Sequence, residues 1–306
     1  GLAWLVAGQI AIGVGCAPAF LVCTVFIAQR FAAHRFASVS GLAMGIGGLG
    51  MLATGTPLAW LVQETSWRMG FLVLAGAAAV AWLAVALLVH EQAPQGGPRE
   101  SVRQAVRNFA ALCAMPRTLG IVVLGALTYA AFLSLRGLWL GPLLIERQGY
   151  SLVQSGNVAL AVSVLALVGP PLFGRFDPGN ASRRRWIVDF TLAMAALFAV
   201  IAFARAPAIV TGMAIFSGFL SGFIVLQYAD VRASYPAALT GRAMAVFTMA
   251  MFLGVALMQW FTGAVASAAA GYGVDAFTAV FCAIALLLTL GALAFAVLPR
   301  GRADQA

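Results

Sequence analysis

Charged residues are confined almost wholly to the joints between nine long apolar runs, and this decides which solvent the chain folds in. The runs cover residues 2–29, 37–62, 69–89, 119–145, 156–173, 186–203, 209–228, 244–266 and 277–298. About 20 apolar residues in helical form span the ~30 Å hydrocarbon core of a bilayer. Those at 156–173 and 186–203 are short for a span, so theirs are the boundaries expected to shift. A soluble helical protein of this size would need polar faces on its helices, and these runs lack them. With 63% hydrophobic and 9% charged residues, the expected fold is an all-α polytopic membrane protein.

The formal charge is +9, and all 18 basic residues are arginine. Nucleic acid is not the expected partner, because the arginines follow topology. Joints alternate along the chain, and one alternate set holds fourteen arginines, the other three, at Arg68, Arg147 and Arg205. Cytoplasmic loops carry such an excess, so the C-terminus is expected in the cytoplasm. Only Arg136 is left within a run. Nine spans would put the N-terminus outside. Because Gly1 opens in mid-run without a methionine, further helices are expected upstream.

The four cysteines, Cys16, Cys23, Cys113 and Cys282, show no metal-binding spacing and read as structural thiols. His34 and His90 fall at cytoplasmic helix ends. No GxxxxGK[ST] loop, HExxH helix or GxSxG elbow is present, which argues against ATP-driven pumping and leaves no enzyme site. No cofactor is expected.

Residues 91–117 form the one long polar joint, with Pro94, Gly96, Gly97 and Pro98. Within it, Val102, Val106 and Phe109 share one face of a basic amphipathic helix over 101–109, suited to resting at the cytoplasmic interface. The joint divides 1–90, with three spans, from 118–306, with six. Gly41-Leu-Ala-Met44 and Gly241-Arg-Ala-Met244 each open a span after an arginine-bearing joint, and Met51 and Met251 follow at equal offset. That echo implies duplicated six-span units and a whole of twelve.

Several motifs carry a family resemblance across essentially all 306 residues. Gln9-Ile-Ala-Ile-Gly13-Val-Gly15, with Pro18, is similar to an Arg-xxx-Gly-x-Gly pattern, with glutamine in the arginine position. Gly45 to Pro57, with Gly47, Gly48, Gly50 and Gly55, is a glycine-proline pattern, and Trp67-Arg68 with Phe71 matches a Trp-Arg-xx-Phe opening. Gly174-Arg-Phe-Asp177 with Arg183 and Arg184 is similar to a Gly-xxx-Asp-xxx-Arg-Arg gating loop. Leu135-Arg136-Gly-Leu-Trp139-Leu-Gly141-Pro142 and Tyr235-Pro236 through Gly241-Arg242 are similar to one bacterial subgroup. The chain resembles the major facilitator superfamily from its fourth helix to its twelfth. The resemblance implies two six-helix bundles rocking about a central site in a bacterial inner membrane, with a small-molecule substrate and a coupled ion, by symport or antiport. It also implies a monomer surrounded by lipid.

An arginine inside a span is a functional candidate by default. Arg136 either lines the cavity and pairs with a carboxylate, phosphate or nitrate-like anion, or forms a structural ion pair, or snorkels to the outer surface. Tyr129, seven residues earlier, extends the same face. Gln9, Ser217, Ser221, Gln227 and Gln259 complete the polar inventory. Each either bonds between helices or faces the substrate, and the resemblance favours Gln9 and Ser221 for the cavity. Gly50, Gly55 and Pro57, with Gly174, Asp177, Arg183 and Arg184, are the gating candidates, and packing alone is the rival reading for the glycines. Pro57 and the Pro170-Pro171 pair are expected at bends or helix ends. Small-anion transport is the leading expectation. Export of apolar drugs or metabolites and a non-transporting scaffold or sensor remain the alternatives.

Overall fold

The computed structural model describes residues 2–16, 19, 22–23, 26, 43, 46–88, 107, 116–235 and 237–297. Most of the 91–117 joint, the Gly41–Met44 half of the echo, His34, His90, Pro18, Pro236 and the C-terminal tail lie outside these. Contacts divide the chain into residues 1–50 and 51–306. In the first unit, α1 covers Leu2–Cys16 and residues 46–50 are helical.

The regular elements described in the second unit are all helices. α2 covers Thr56–Glu64 and α3 Trp67–Leu88. α4 covers Pro116–Ser134 and continues through a π segment, Leu135–Trp139, a turn, Leu140–Pro142, and a second π segment, Leu143–Arg147. α5 covers Leu152–Arg175, α6 Asn180–Phe203 and α7 Pro207–Leu220, which passes through a 3₁₀ turn, Ser221–Phe223, into α8, Ile224–Ser234. α9 covers Ala237–Gly271 and α10 Ala276–Val297. Among the described residues seven helices are long and apolar enough to cross a membrane. The two short runs at 156–173 and 186–203 belong to helices of 24 residues each, long enough to span.

Local sequence explains the helix ends. Ser151 and Gln154 close a capping box at the start of α5, with Gln154 N–H donating to Ser151 Oγ at 3.2 Å and Ser151 N–H to Gln154 Oε1 at 2.9 Å. Pro57 and Pro207 fall in the first turns of α2 and α7, where the missing N–H costs nothing. Pro170 and Pro171 depart from expectation: both lie inside α5, which runs on to Arg175. Neighbouring helices make this tolerable in a bilayer by supporting the backbone that the prolines disturb.

That support is close. Gly169 on α5 meets the backbone of Gly222, so a Cβ on either glycine would strike main chain. Two glycines let α5 and the α7–α8 junction approach as small-residue interfaces do in lipid. Around this crossing the core is aromatic, with Phe173 edge-on to Phe190 at 4.9 Å between ring centroids. Phe198 on α6 and Phe281 on α10, both fully buried, pack at 6.0 Å. α3 shows the opposite state. It is apolar on every face and buries only Gly70, as a helix solvated by hydrocarbon does.

Gly222→Ala is expected to destabilise the protein by about 1–3 kcal/mol through overpacking. Gly212→Ala, where nothing lies within 4 Å of the added methyl, is expected to keep stability or raise it by up to about 1 kcal/mol, since alanine favours a helix interior over glycine. Thermal unfolding in detergent, followed by size-exclusion fluorescence, separates the two.

Candidate functional site

Arg136 stands in the first π segment of α4, in a span that covers Thr118–Arg147. A π turn holds one residue more than an α turn and recurs at functional sites. The guanidinium reaches across to α5, where Nε donates to Ser163 Oγ at 3.1 Å. Ser163 passes its own proton to the Ala159 carbonyl at 2.8 Å. Nη2 of Arg136 is buried and has no hydrogen-bond partner among the described residues. No described carboxylate pairs with it either. A guanidinium carries five N–H donors, and one of them is met here.

The neighbouring polar groups are uncharged. The position of a Cβ on Gly137 would be 4.0 Å from the Gln259 amide nitrogen on α9. Trp139 Nε1 donates to Thr262 Oγ1 at 3.0 Å, and Thr262 in turn to the Gln259 carbonyl at 3.1 Å. Tyr129 lies edge-on to Phe252 of α9 at 5.7 Å and makes no hydrogen bond among the described residues. Tyr129 and Arg136 thus face α9 and α5 respectively, with no bond joining them.

The other candidates are placed differently. Ser217 is fully buried and donates to the Ala214 carbonyl at 2.6 Å. Ser221 donates to the Gly218 carbonyl at 2.7 Å. Both hydroxyl protons are committed to their own helix. Gln227 makes the helix-to-helix bond, exchanging hydrogen bonds with Thr128 at 3.0 and 3.2 Å. Gln9 is an exposed residue of α1, in the first unit.

Asp177 follows α5 and is gripped from α6. Arg183 Nη2 meets its Oδ2 at 2.6 Å and Nε its Oδ1 at 2.9 Å, a bidentate pair. Gly179, at φ 76°, turns its N–H onto the same carboxylate at 3.1 Å, a conformation glycine adopts readily. Hydrogen bonding from Arg183 holds Asp177 below the usual carboxylate range, against partial burial and with help from Gly179. Arg184 donates to the Phe295 carbonyl and lies over its ring at 4.6 Å, so it ties α6 to α10. Gly174 is exposed, with only Val225 near.

Gly55 and Pro57 bring α2 against α5. A Cβ on Gly55 would be 3.0 Å from Cβ of Leu160, and one on Gly156 3.1 Å from Cβ of Ala59. Beside this crossing Thr56 Oγ1 donates to Asn157 Oδ1 at 2.7 Å. Nothing lies within 4 Å of a Cβ on Gly50.

Sequence reasoning misses Ser163, Asn157 and Thr56, whose short side chains stand out only once a partner helix is known. It also assigns Arg147 and Arg205 to topology alone. In the structure both face Asp275 Oδ2, each at 3.9 Å, and Arg147 caps α6 by donating to the Ala202 carbonyl at 2.9 Å. Burial acts to raise the Asp275 carboxyl, but hydrogen bonds from Thr278 and the two arginine charges outweigh it and hold it low. Arg185 and Asp189 form an exposed pair at 3.7 Å.

Long apolar helices joined by glycine crossings define a polytopic α-helical membrane protein. The sequence model of the Major Facilitator Superfamily matches residues 1–257. The chain belongs to the major facilitator superfamily, and its general function is secondary transport. The fold is similar to the crystal structure of a D-xylose-proton symporter, with a TM-score of 0.63 at 16% identity, covering 92% of this chain and 67% of that one. No curated protein matches the sequence.

The Asp177–Arg183 link carries a pH signature. A carboxylate whose pKa is lowered on folding stabilises the fold above its unfolded value of about 3.9, and the gain is lost as pH falls through the folded value. Asp177→Asn is therefore expected to melt below wild type at neutral pH, with the gap closing below about pH 4. Melting curves of both proteins from neutral to acid pH test this.

Proposed function

We propose that the protein is a bacterial inner-membrane secondary transporter of a small organic or inorganic anion, working by alternating access as a monomer. Residues 1–90 supply the last three helices of an N-terminal bundle, corresponding to helices four to six of the family. Residues 91–117 link them to a C-terminal bundle, 118–306, whose tail is cytoplasmic. Transport is coupled to a proton or ion gradient, or to exchange. One observation carries the anion reading: Arg136 sits within a span with a single hydrogen bond and no carboxylate partner among the described residues. A charge costs at most about 2.5–3.5 kcal/mol on insertion scales, the value at the centre of a span, and Arg136 is expected in the outer part of the bilayer. One charged hydrogen bond returns roughly 1.5–3, which leaves a guanidinium still poised for an anion. The burial of Nη2 and the bond to α5 favour this over snorkelling, since both direct the group into protein.

Arg136 meets the cargo in this scheme, and Tyr129 and Gln259 line its uncharged side. Ser217 and Ser221 are weaker contacts, because their protons are already used. The Gly55–Gly156 crossing forms one gate, with Pro57 shaping its approach. Asp177, Gly174, Arg183 and Arg184 form the other, where the bidentate pair must loosen as the bundles rock.

Arg136→Gln is expected to abolish anion uptake into proteoliposomes while insertion and monodispersity remain normal. Uptake of neutral, apolar solutes that survives the substitution would instead identify an exporter of such compounds. A protein that moves no solute yet retains a stable partner would be a scaffold. Gly55→Leu is expected to reduce transport at least about tenfold by holding α2 away from α5, as overpacking forces backbone apart. Initial uptake rates at matched protein level give that comparison.

A further inference from the structure

Which edge of the guanidinium makes no hydrogen bond among the described residues says more about the cargo. An arginine can hold an anion side-on, through Nε and Nη2, or end-on, through Nη1 and Nη2. At Arg136 the Nε donor is already given to Ser163 Oγ at 3.1 Å. The Ser163 proton goes to the Ala159 carbonyl, so the hydroxyl offers this side only lone pairs. Those lone pairs repel an anion oxygen brought to the Nε side. The Nη1–Nη2 edge is left, with neither nitrogen hydrogen-bonded among the described residues. Its two parallel donors match two oxygens of one anion.

Charge narrows the class again. No described charged side chain acts on Arg136, and the polar group beside Gly137 is the neutral amide of Gln259. One cation can neutralise one charge. A dianion would bring a second charge with no described cation to meet it, which is costly away from water.

We propose that Ser163 is a positioning residue that presents only the Nη1–Nη2 edge of Arg136 to the cargo, selecting monovalent oxyanions, such as monocarboxylate or nitrate, over divalent ones. This rests on the anion reading above.

The test uses the purified full-length protein in proteoliposomes, with labelled lactate, nitrate, sulfate and succinate as probes. Lactate or nitrate is expected to enter at least about tenfold faster than sulfate and succinate, the scale of one unmet charge-assisted hydrogen bond, and the two favoured probes distinguish the cargo's source. Ser163→Ala frees the Nε side, so it is expected to narrow that ratio several-fold while uptake persists. Ser163→Thr keeps the hydroxyl and is expected to restore the ratio, which a merely structural role would not require. If Ser163→Ala does not fold, Ser163→Gly carries the same requirement. Equal wild-type uptake of sulfate and lactate overturns the selectivity, and an unchanged ratio in a folded hydroxyl-free variant overturns the role of Ser163. Loss of every anion signal, with neutral uptake unaffected by Arg136→Gln, overturns the anion reading itself.

Discussion

Hydrocarbon offers a backbone amide no hydrogen-bonding partner, and the rest of this structure depends on that. Every spanning segment must satisfy its own N–H and C=O groups, so each is a helix. Among the described residues, departures from α geometry occur where neighbouring protein supports them. The two π segments of α4 lie on the flank of α5, and the two prolines of α5 lie where Gly169 and Gly222 bring main chain against main chain. Irregularity and close packing coincide because one supports the other.

The helices are legible in the sequence because length and hydropathy alone decide them in lipid. The spans from Trp67–Leu88 to Ala276–Val297 match the apolar runs to within a few residues, apart from helix ends that extend into polar joints. Those extensions are hidden because joint residues such as Arg183 and Asp177 look like loop and instead cap or continue a helix. The prolines of α5 suggest an end because sequence shows their missing donors and not the helix packed against them.

The candidate site is half legible. Arg136 is conspicuous in sequence, being the one arginine inside a run. Ser163 is not, since a serine in a span usually bonds its own helix, as Ser217 and Ser221 do here. Ser163 does so too, at Ala159, but its oxygen also receives Arg136 from another helix. That double use depends on the angle at which α4 and α5 meet, which no residue pattern encodes. Asp177 and Arg183 are legible as partners because the motif sets an aspartate a few residues before two arginines, whereas the Gly179 turn between them shows only in the structure.

The π segments of α4 have one more effect. Arg136 and Arg147 are eleven residues apart, close to three whole turns of an α-helix at 3.6 residues each. On a regular helix both arginines would project from a single face and form a ladder of positive charge. Each π segment takes up an extra residue and rotates the stretch of helix beyond it. Arg147 is thereby carried round to the ends of α6 and α10, where the carbonyl of Ala202 and the carboxylate of Asp275 receive it. Two insertions in the helix separate a fixed charge from an available one, and Arg136 is left without a second cation beside it.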